Sequence, residues 1–328
     1  MDRQQLQTEL REMKLDADVT RTLLEFFDSY ERAVGASGFV STDGPPLFEQ
    51  YLSFIKEEIV HPTSFGHYHK SERFPIDFYQ FGRSIVAPLL DMDHSFIEGQ
   101  EHLHAIIQAV DRGENVILLA NHQTEIDPQI ISLLVAPYSD RLASSMIFMA
   151  GHRVTTDPLA VPLSRGVDLL CIYSKKYIDF PPEKRGEKLI HNAKTLSKLE
   201  DLLNEGGHCL YVAPSGGRDR FDASGAVTIA PFDPQSVEMF YLLSQKATQP
   251  THLHLFALST IRLLPPPPTT NIELGESRNV SRSSARLFFG PALDMDAIGQ
   301  DGDKKQRRIE RAEILTAAIN EMFQAIQP

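Results

Sequence analysis

At 328 residues, with 42% hydrophobic and 23% charged residues, the chain is long enough for one large domain and a smaller one, and its balance is far from that of disordered chains. A formal net charge of −12 argues against nucleic acid as the main partner, because a phosphate backbone needs a basic face, yet it leaves room for small anions in a local basic pocket. No apolar run approaches the ~20 residues that span a bilayer, and Met1 to Leu6 lacks the basic start and apolar stretch of a signal peptide.

The first third reads as helix without strands. Leu6, Leu10 and Met13, then Leu23, Phe26, Phe27 and Tyr30, fall at three-to-four spacing and suit a small helical bundle. Gly35 to Pro46 breaks the pattern, Phe48 to Val60 resumes it, and the polar stretch His61 to Ser71 reads as a linker. The expected division is therefore a helical domain over 1–70 and an α/β domain over 71–328, the latter entered through a helix over Phe78 to Leu90.

From about residue 100 short apolar or β-branched runs alternate with amphipathic segments. The runs are Val116 to Ala120, Met146 to Ala150, Leu169 to Tyr173, Cys209 to Val212, Leu253 to Leu258 and Arg286 to Phe289. Helices are expected over His102 to Asp111, Pro128 to Val135, Glu187 to Asn204, Pro234 to Ala247 and Arg308 to Ile326. The fold class is α/β, a mixed sheet flanked by helices. Cys171 and Cys209 each lie within an apolar run and read as buried free thiols of a reducing compartment. Pro265 to Pro268 is a short polyproline spacer in a long loop.

The segment Val116 to Ala120 followed by Asn121-His122-Gln123-Thr124-Glu125-Ile126-Asp127-Pro128 reads as a buried strand, a polar loop and a helix start, with Asp127 as N-cap and Pro128 as first helical residue. Ligands of open α/β sheets bind beyond the carboxyl ends of strands, where His122 would lie. A turn can fold Asp127 back onto one imidazole nitrogen, leaving the other to take a proton from an attacking hydroxyl. The spacing alone is weak, since about one His-x4-Asp match is expected by chance among twelve histidines. A second match, His152 to Asp157, also ends in Asp-Pro. For each pair the competing reading is a helix cap beside a hydrogen-bonded histidine.

A second informative segment, Tyr211-Val212-Ala213-Pro214-Ser215-Gly216-Gly217-Arg218-Asp219-Arg220, opens a strand end into a glycine turn with two arginines. Glycines permit close backbone approach and guanidinium groups bind phosphate bidentately, so this is an anion site by composition. Its bland alternative is a tight turn with surface arginines paired to Asp219 and Asp222. Lys175-Lys176, after the strand ending at Tyr173, either faces the same pocket or is a solvated strand terminus. His67/His69, His102/His104 and His252/His254 lack the cysteine or carboxylate cluster that would complete a metal site, and no Walker loop, dinucleotide fingerprint or Gly-x-Ser-x-Gly is present.

On these residues the chain resembles the soluble, plant-plastid and chlamydial type of glycerol-3-phosphate 1-acyltransferase. The ordered blocks that carry the likeness lie across roughly residues 115 to 235: Asn121 to Pro128, Val154-Thr155-Thr156-Asp157-Pro158, Tyr173-Ser174-Lys175-Lys176, Ala213 to Arg220, and Ala230-Pro231-Phe232-Asp233. The resemblance implies a base role for His122, an orienting role for Asp127, and phosphate contacts from Lys176, Arg218 and Arg220. It aligns the family's dyad with His122 rather than His152. Tyr177 stands where a phosphate-contacting histidine is usual, its hydroxyl still able to donate, and His152 where an aspartate is usual.

The implied reaction is direct acyl transfer, without cofactor or metal, from an acyl carrier protein or coenzyme A thioester to the 1-hydroxyl of glycerol 3-phosphate. Amides of the Asn121 turn or of the Ser215 to Gly217 turn are candidates for the oxyanion. Lys304, Lys305, Arg307 and Arg308, or Lys184, Arg185 and Lys188, are candidate docking patches for an acidic carrier. The acyl chain is expected in an apolar groove between the two domains, and the location in a bacterial cytoplasm or, after loss of a leader, a plastid stroma. The alternatives are acylation of lysophosphatidic acid, disfavoured by the absence of an apolar membrane-binding segment, and a non-catalytic lipid- or phosphate-binding module.

Overall fold

The computed structural model describes residues 3–13, 15, 17–37, 47–267 and 277–327. Most of the Gly35 to Pro46 break and the last proline of the polyproline spacer lie outside these residues.

The helices α1 (Arg3–Glu12), α2 (Ala17–Ser37) and α3 (Leu47–Val60) come first, followed by β1 (Tyr68–His69), α4 (Phe78–Val86), β2 (Phe96–Glu98), α5 (Gln100–Asp111) and β3 (Asn115–Ala120). Then come α6 (Asp127–Val135), α7 (Asp140–Ser145), β4 (Ile147–Gly151), α8 (Val161–Ser164), β5 (Asp168–Ile172), α9 (Lys175–Ile178), α10 (Arg185–Glu205) and β6 (Cys209–Val212). A two-stranded ribbon of β7 (Arg220–Phe221) and β8 (Val227–Thr228) precedes α11 (Pro234–Lys246), β9 (Thr251–Ser259), β10 (Arg286–Ala292) and α12 (Lys304–Ala325).

Among the described residues the main sheet has eight strands in the order β1-β5-β4-β6-β3-β9-β10-β2. The central strands β5, β4, β6, β3 and β9 run parallel, while β1 and β10 lie antiparallel to β5 and β9, which makes the sheet mixed. The stretch His61 to Ser71 differs from its reading as a linker. It carries β1, with Tyr68 opposite Leu170 and His69 opposite Leu169. Two residues give too short a period for a polar sequence to announce a strand.

All of β3 is buried, as expected for a strand covered on both faces. Its side chains alternate between two cores. Val116, Leu118 and Ala120 join Cys209 and Tyr211 of β6 and Phe256 of β9 in one, and Ile117 and Leu119 join Leu210, Val212, Leu253 and Leu255 in the other. The first core continues without a break into α1 to α3 through Leu6, Leu23, Phe26 and Tyr51, and the second is closed by α10, α11 and α12 through Leu199, Phe240 and Ile319. Gly99, ahead of α5, has φ 67° and lies so close to Phe289 that a Cβ would stand 2.0 Å from its carbonyl oxygen. Layers on both faces leave the carboxyl ends of the parallel strands as the edge at which polar loops gather.

Candidate active site

The loop that follows β3 is folded around one carboxylate. Asp127 Oδ2 accepts from His122 Nδ1 at 2.9 Å and from the backbone N–H groups of Gln123 and Thr124 at 2.9 and 3.1 Å. Its Oδ1 accepts from the hydroxyls of Thr124 and Thr260 at 2.9 and 2.7 Å. Asp127 is thus not the N-cap expected from Asp-Pro. Ile126 holds that place, and the Asp127 side chain reaches back over the turn instead of forward to the free amides of α6. Burial alone would push the Asp127 carboxyl up, but the His122 ring, the Gln123 amide and the Thr260 hydroxyl together hold it below the usual carboxylate range. An ionised carboxylate only accepts, so the shared proton is on His122 Nδ1, and in the neutral ring the lone pair is then on Nε2. The His122 side chain is 31% exposed while Asp127 is 1% exposed, so the imidazole is the member of the pair that meets solvent.

Neighbouring side chains pin the rest of the loop. Asn121 spans to β9, donating to the Leu258 carbonyl and accepting from its N–H, and the Tyr211 hydroxyl of β6 donates to the Asn121 carbonyl at 2.6 Å. Gln123 Oε1 accepts from the N–H groups of Thr260 and Ile261. Both amide side chains also donate to Asp219 Oδ2, at 2.7 and 3.1 Å. Burial pushes the Asp219 carboxyl up, against the opposing pull of Asn121, the Ala230 amide and Gln123.

This inward turn of Asp219 joins the two informative segments. Its backbone N–H donates to the His122 carbonyl at 2.7 Å, so the backbone of the turn that carries Arg218 and Arg220 is tied to that of His122. Both are half-buried. Asp219 is bonded by the side chains of Asn121 and Gln123, and Asp222 by Ser224 and the Ala226 N–H. The helix α9 is drawn to the same edge: Lys175 pairs with Asp233 at 2.9 Å, and the Asp233 N–H donates to the Pro214 carbonyl of the glycine turn. Lys176 is in α9, although its side chain lies outside what is described. The Tyr177 ring packs 5.2 Å from that of His152.

The acyltransferase family profile matches residues 94–252, a span that contains the loop after β3, α9 and the glycine turn, and ends before Thr260. Among known proteins, glycerol-3-phosphate acyltransferase ATS11, chloroplastic, of Cucurbita moschata is 38% identical over 288 residues, covering 87% of this chain and 64% of its own. The chloroplastic glycerol-3-phosphate acyltransferase of Arabidopsis thaliana is 32% identical over 317 residues, covering 95% of this chain and 69% of its own. That of Phaseolus vulgaris is 32% identical over 330 residues, with 98% and 72% covered. This chain belongs to the glycerol-3-phosphate acyltransferase family. It spans just under two thirds of the length of the Cucurbita moschata relative. Among solved structures, the 1-acyl-sn-glycerophosphate acyltransferase PlsC of Thermotoga maritima is a distant likeness, at 15% identity and a TM-score of 0.42 over 92% of this chain and 95% of that one.

In this family member the second His-x4-Asp pair is built differently. Asp157 is turned inward to Arg278 Nη2 at 2.8 Å, whereas the His152 ring packs against Tyr173 and Tyr177 at 5.1 and 5.2 Å. Burial, with Lys188 and Arg153 nearby, pushes the His152 imidazole pKa down. Lys188, expected in a docking patch, is buried and donates to the carbonyls of Tyr177 and Phe180, so it is a strut of this region rather than a surface charge. Among the described residues no group of three or more His, Cys, Asp or Glu is placed to hold a metal ion, and no helix is long and apolar enough to cross a membrane.

Sequence reasoning missed Thr260, the structural use of Asn121 and Gln123, and Arg278. Each acts across more than 90 positions of chain, and none leaves a local spacing signal.

Proposed function

We propose that the chain transfers an acyl group from an acyl thioester to the 1-hydroxyl of glycerol 3-phosphate, giving lysophosphatidic acid, the first step of glycerophospholipid synthesis. The observation that supports this most is the pairing of two contacts: His122 Nδ1 on Asp127 at 2.9 Å, and the Asp219 N–H on the His122 carbonyl at 2.7 Å, which brings an arginine-flanked turn against a poised base.

In this reading His122 Nε2 takes the proton of the 1-hydroxyl as its oxygen bonds to the thioester carbonyl carbon. The tetrahedral intermediate then collapses, the C–S bond breaks, and the proton passes from Nε2 to the departing thiolate. Asp127 stabilises the transient imidazolium. Lys176, Arg218 and Arg220, with the Tyr177 hydroxyl, hold the phosphate, and this grip keeps the hydroxyl in line. The amides of Gln123 and Thr124 are committed to Asp127 and that of Gly216 to the Ala213 carbonyl, so the oxyanion takes its hydrogen bonds elsewhere.

The acyl donor is acyl carrier protein or coenzyme A. For an acidic carrier Lys304 and Lys305, exposed at the start of α12, are the better docking candidates now that Lys188 is internal. The apolar cavity between the helices and the catalytic loop, lined by Phe26, Tyr51, Ile85 and Ile126, measures about 20 Å³. That is room for little more than one water, so an acyl chain would enter there only if the helices part. Two buried unpaired thiols suit the reducing interior of a bacterial cytoplasm or a plastid stroma.

One assay separates this reading from its rivals. Thiol release from an acyl thioester is followed with glycerol 3-phosphate, with lysophosphatidic acid, and with neither. Release only with glycerol 3-phosphate is expected. Release only with lysophosphatidic acid would assign the chain to the second acylation, and none in any condition would make it a binding module.

A further inference from the structure

The loop between His122 and Asp127 has a third support that plays no part in the dyad or the phosphate clamp. Glu125 is bound by Arg278 through two guanidinium nitrogens, Nε to Oε1 and Nη2 to Oε2, the latter at 3.0 Å. The same Nη2 reaches Asp157 Oδ2 at 2.8 Å. All three side chains are internal: Arg278 is 6% exposed, Glu125 12% and Asp157 4%. Two residues on, the Val280 N–H donates to the Ser29 hydroxyl of α2, so the arginine is fixed to the helical layer.

A buried cation between two carboxylates is poor evidence for stability, because well-packed apolar residues of the same volume usually serve as well or better. What the planar fork supplies is a fixed direction. The Nε–Nη2 edge binds Glu125, three residues from His122. The same Nη2 also reaches Asp157, whose backbone N–H closes the turn onto the Arg153 carbonyl, and the His152 at the head of that turn packs on Tyr177. A single guanidinium therefore spans the loop that carries the base and the turn that backs Tyr177.

We propose that Arg278 is a positioning residue that sets the distance between the His122 imidazole and the phosphate-binding side chains. Misplacement of a reacting group by about 1 Å can cost ~10²-fold in rate without loss of binding, which is the kind of error this bridge prevents.

The proposal rests on the acyl-transfer reading, and its test keeps the two apart. Arg278→Lys retains the charge and loses the fork. The triple variant Arg278→Met, Glu125→Gln, Asp157→Asn removes all three charges of this cluster at similar volume and serves as the second test if the lysine variant is unstable. The expected result, per folded molecule, is a kcat lowered by about 10- to 100-fold with the KM for glycerol 3-phosphate within about threefold of the parent. In the absence of substrate, the His122 Nδ1–H proton resonance shifts or broadens.

A kcat within threefold of the parent in the folded triple variant would overturn the proposal, and so would a rise confined to KM. If the parent chain itself releases no thiol, the acyl-transfer reading has failed. The resonance alone then decides, an unchanged Nδ1–H signal overturning the positioning role and a displaced one supporting it.

Discussion

The Thr260 hydroxyl, one residue beyond β9, lies 2.7 Å from Oδ1 of Asp127, a residue 133 positions earlier in the chain. Both groups are 1% exposed, and the bond is made to a charged acceptor. Replacing Thr260 by valine keeps the shape and removes one hydrogen bond to a buried carboxylate, a loss of about 1.5–3 kcal/mol. Urea denaturation should show that loss. The accompanying fall in kcat should be smaller than that of Asp127→Asn, because His122 keeps its partner.

Asp127→Asn can place its amide oxygen where Oδ2 sits and turn its NH₂ towards the two threonine hydroxyls, which can rotate to accept. The fold should therefore survive while the imidazolium loses its counter-charge. A drop in kcat of about 10²- to 10⁴-fold is expected, with the KM for glycerol 3-phosphate little changed.

The same substitution has a pH signature in stability. The folded Asp127 carboxyl titrates below its unfolded value near ~3.9, so its contribution is fully present above that pH and is lost as pH falls through the lower folded value. Asp127→Asn lacks this contribution throughout. Denaturation between about pH 3 and 7 should show a shallower acid decline for the variant than for the parent.

His122→Ala removes the proposed base, and because that side chain is partly exposed, little packing is lost. At least a hundredfold loss of kcat is expected, by the usual worth of general-base assistance of about 10²- to 10⁴-fold. A folded variant that keeps more than a tenth of the parent rate would remove His122 from the mechanism.

Arg218→Ala and Arg220→Ala should raise the KM for glycerol 3-phosphate by about tenfold or more each, through loss of charge-assisted bonds to phosphate. Glycerol, which lacks the phosphate, is the control. If the arginines act on phosphate, the slow reaction with glycerol should be indifferent to their removal.

Cys171 and Cys209 are buried, and burial pushes both thiols up to about 12. Neither forms appreciable thiolate at neutral pH, so alkylation of the folded protein at pH 8 should be negligible and both should react in denaturant. Rapid modification of either in the native protein would show that its strand opens.

The parallel strands were legible because strands buried on both faces are written as unbroken apolar runs, and Val116 to Ala120, Leu169 to Ile172 and Cys209 to Val212 are such runs. The order of the polar blocks at their ends was legible for the same reason, since each block follows directly on its strand. By itself the sequence thus determined which strand ends carry polar chemistry, and that His122 and Asp127 share one loop. Periodicity did not reveal β1, whose two residues are polar and owe their extended form to pairing with β5. Nor did it separate His152 and Asp157 from the other pair, because spacing is identical and only packing differs: one aspartate meets its histidine, the other meets Arg278. Tertiary structure decided the direction of Asp127, the inward turn of Asp219 between two arginines, and the contacts of Thr260 and Arg278. Apart from the bonds of Asp127 within its own loop, these join groups 96 to 153 positions apart, form only once the sheet has brought the loops to a common edge, and are encoded by no local pattern.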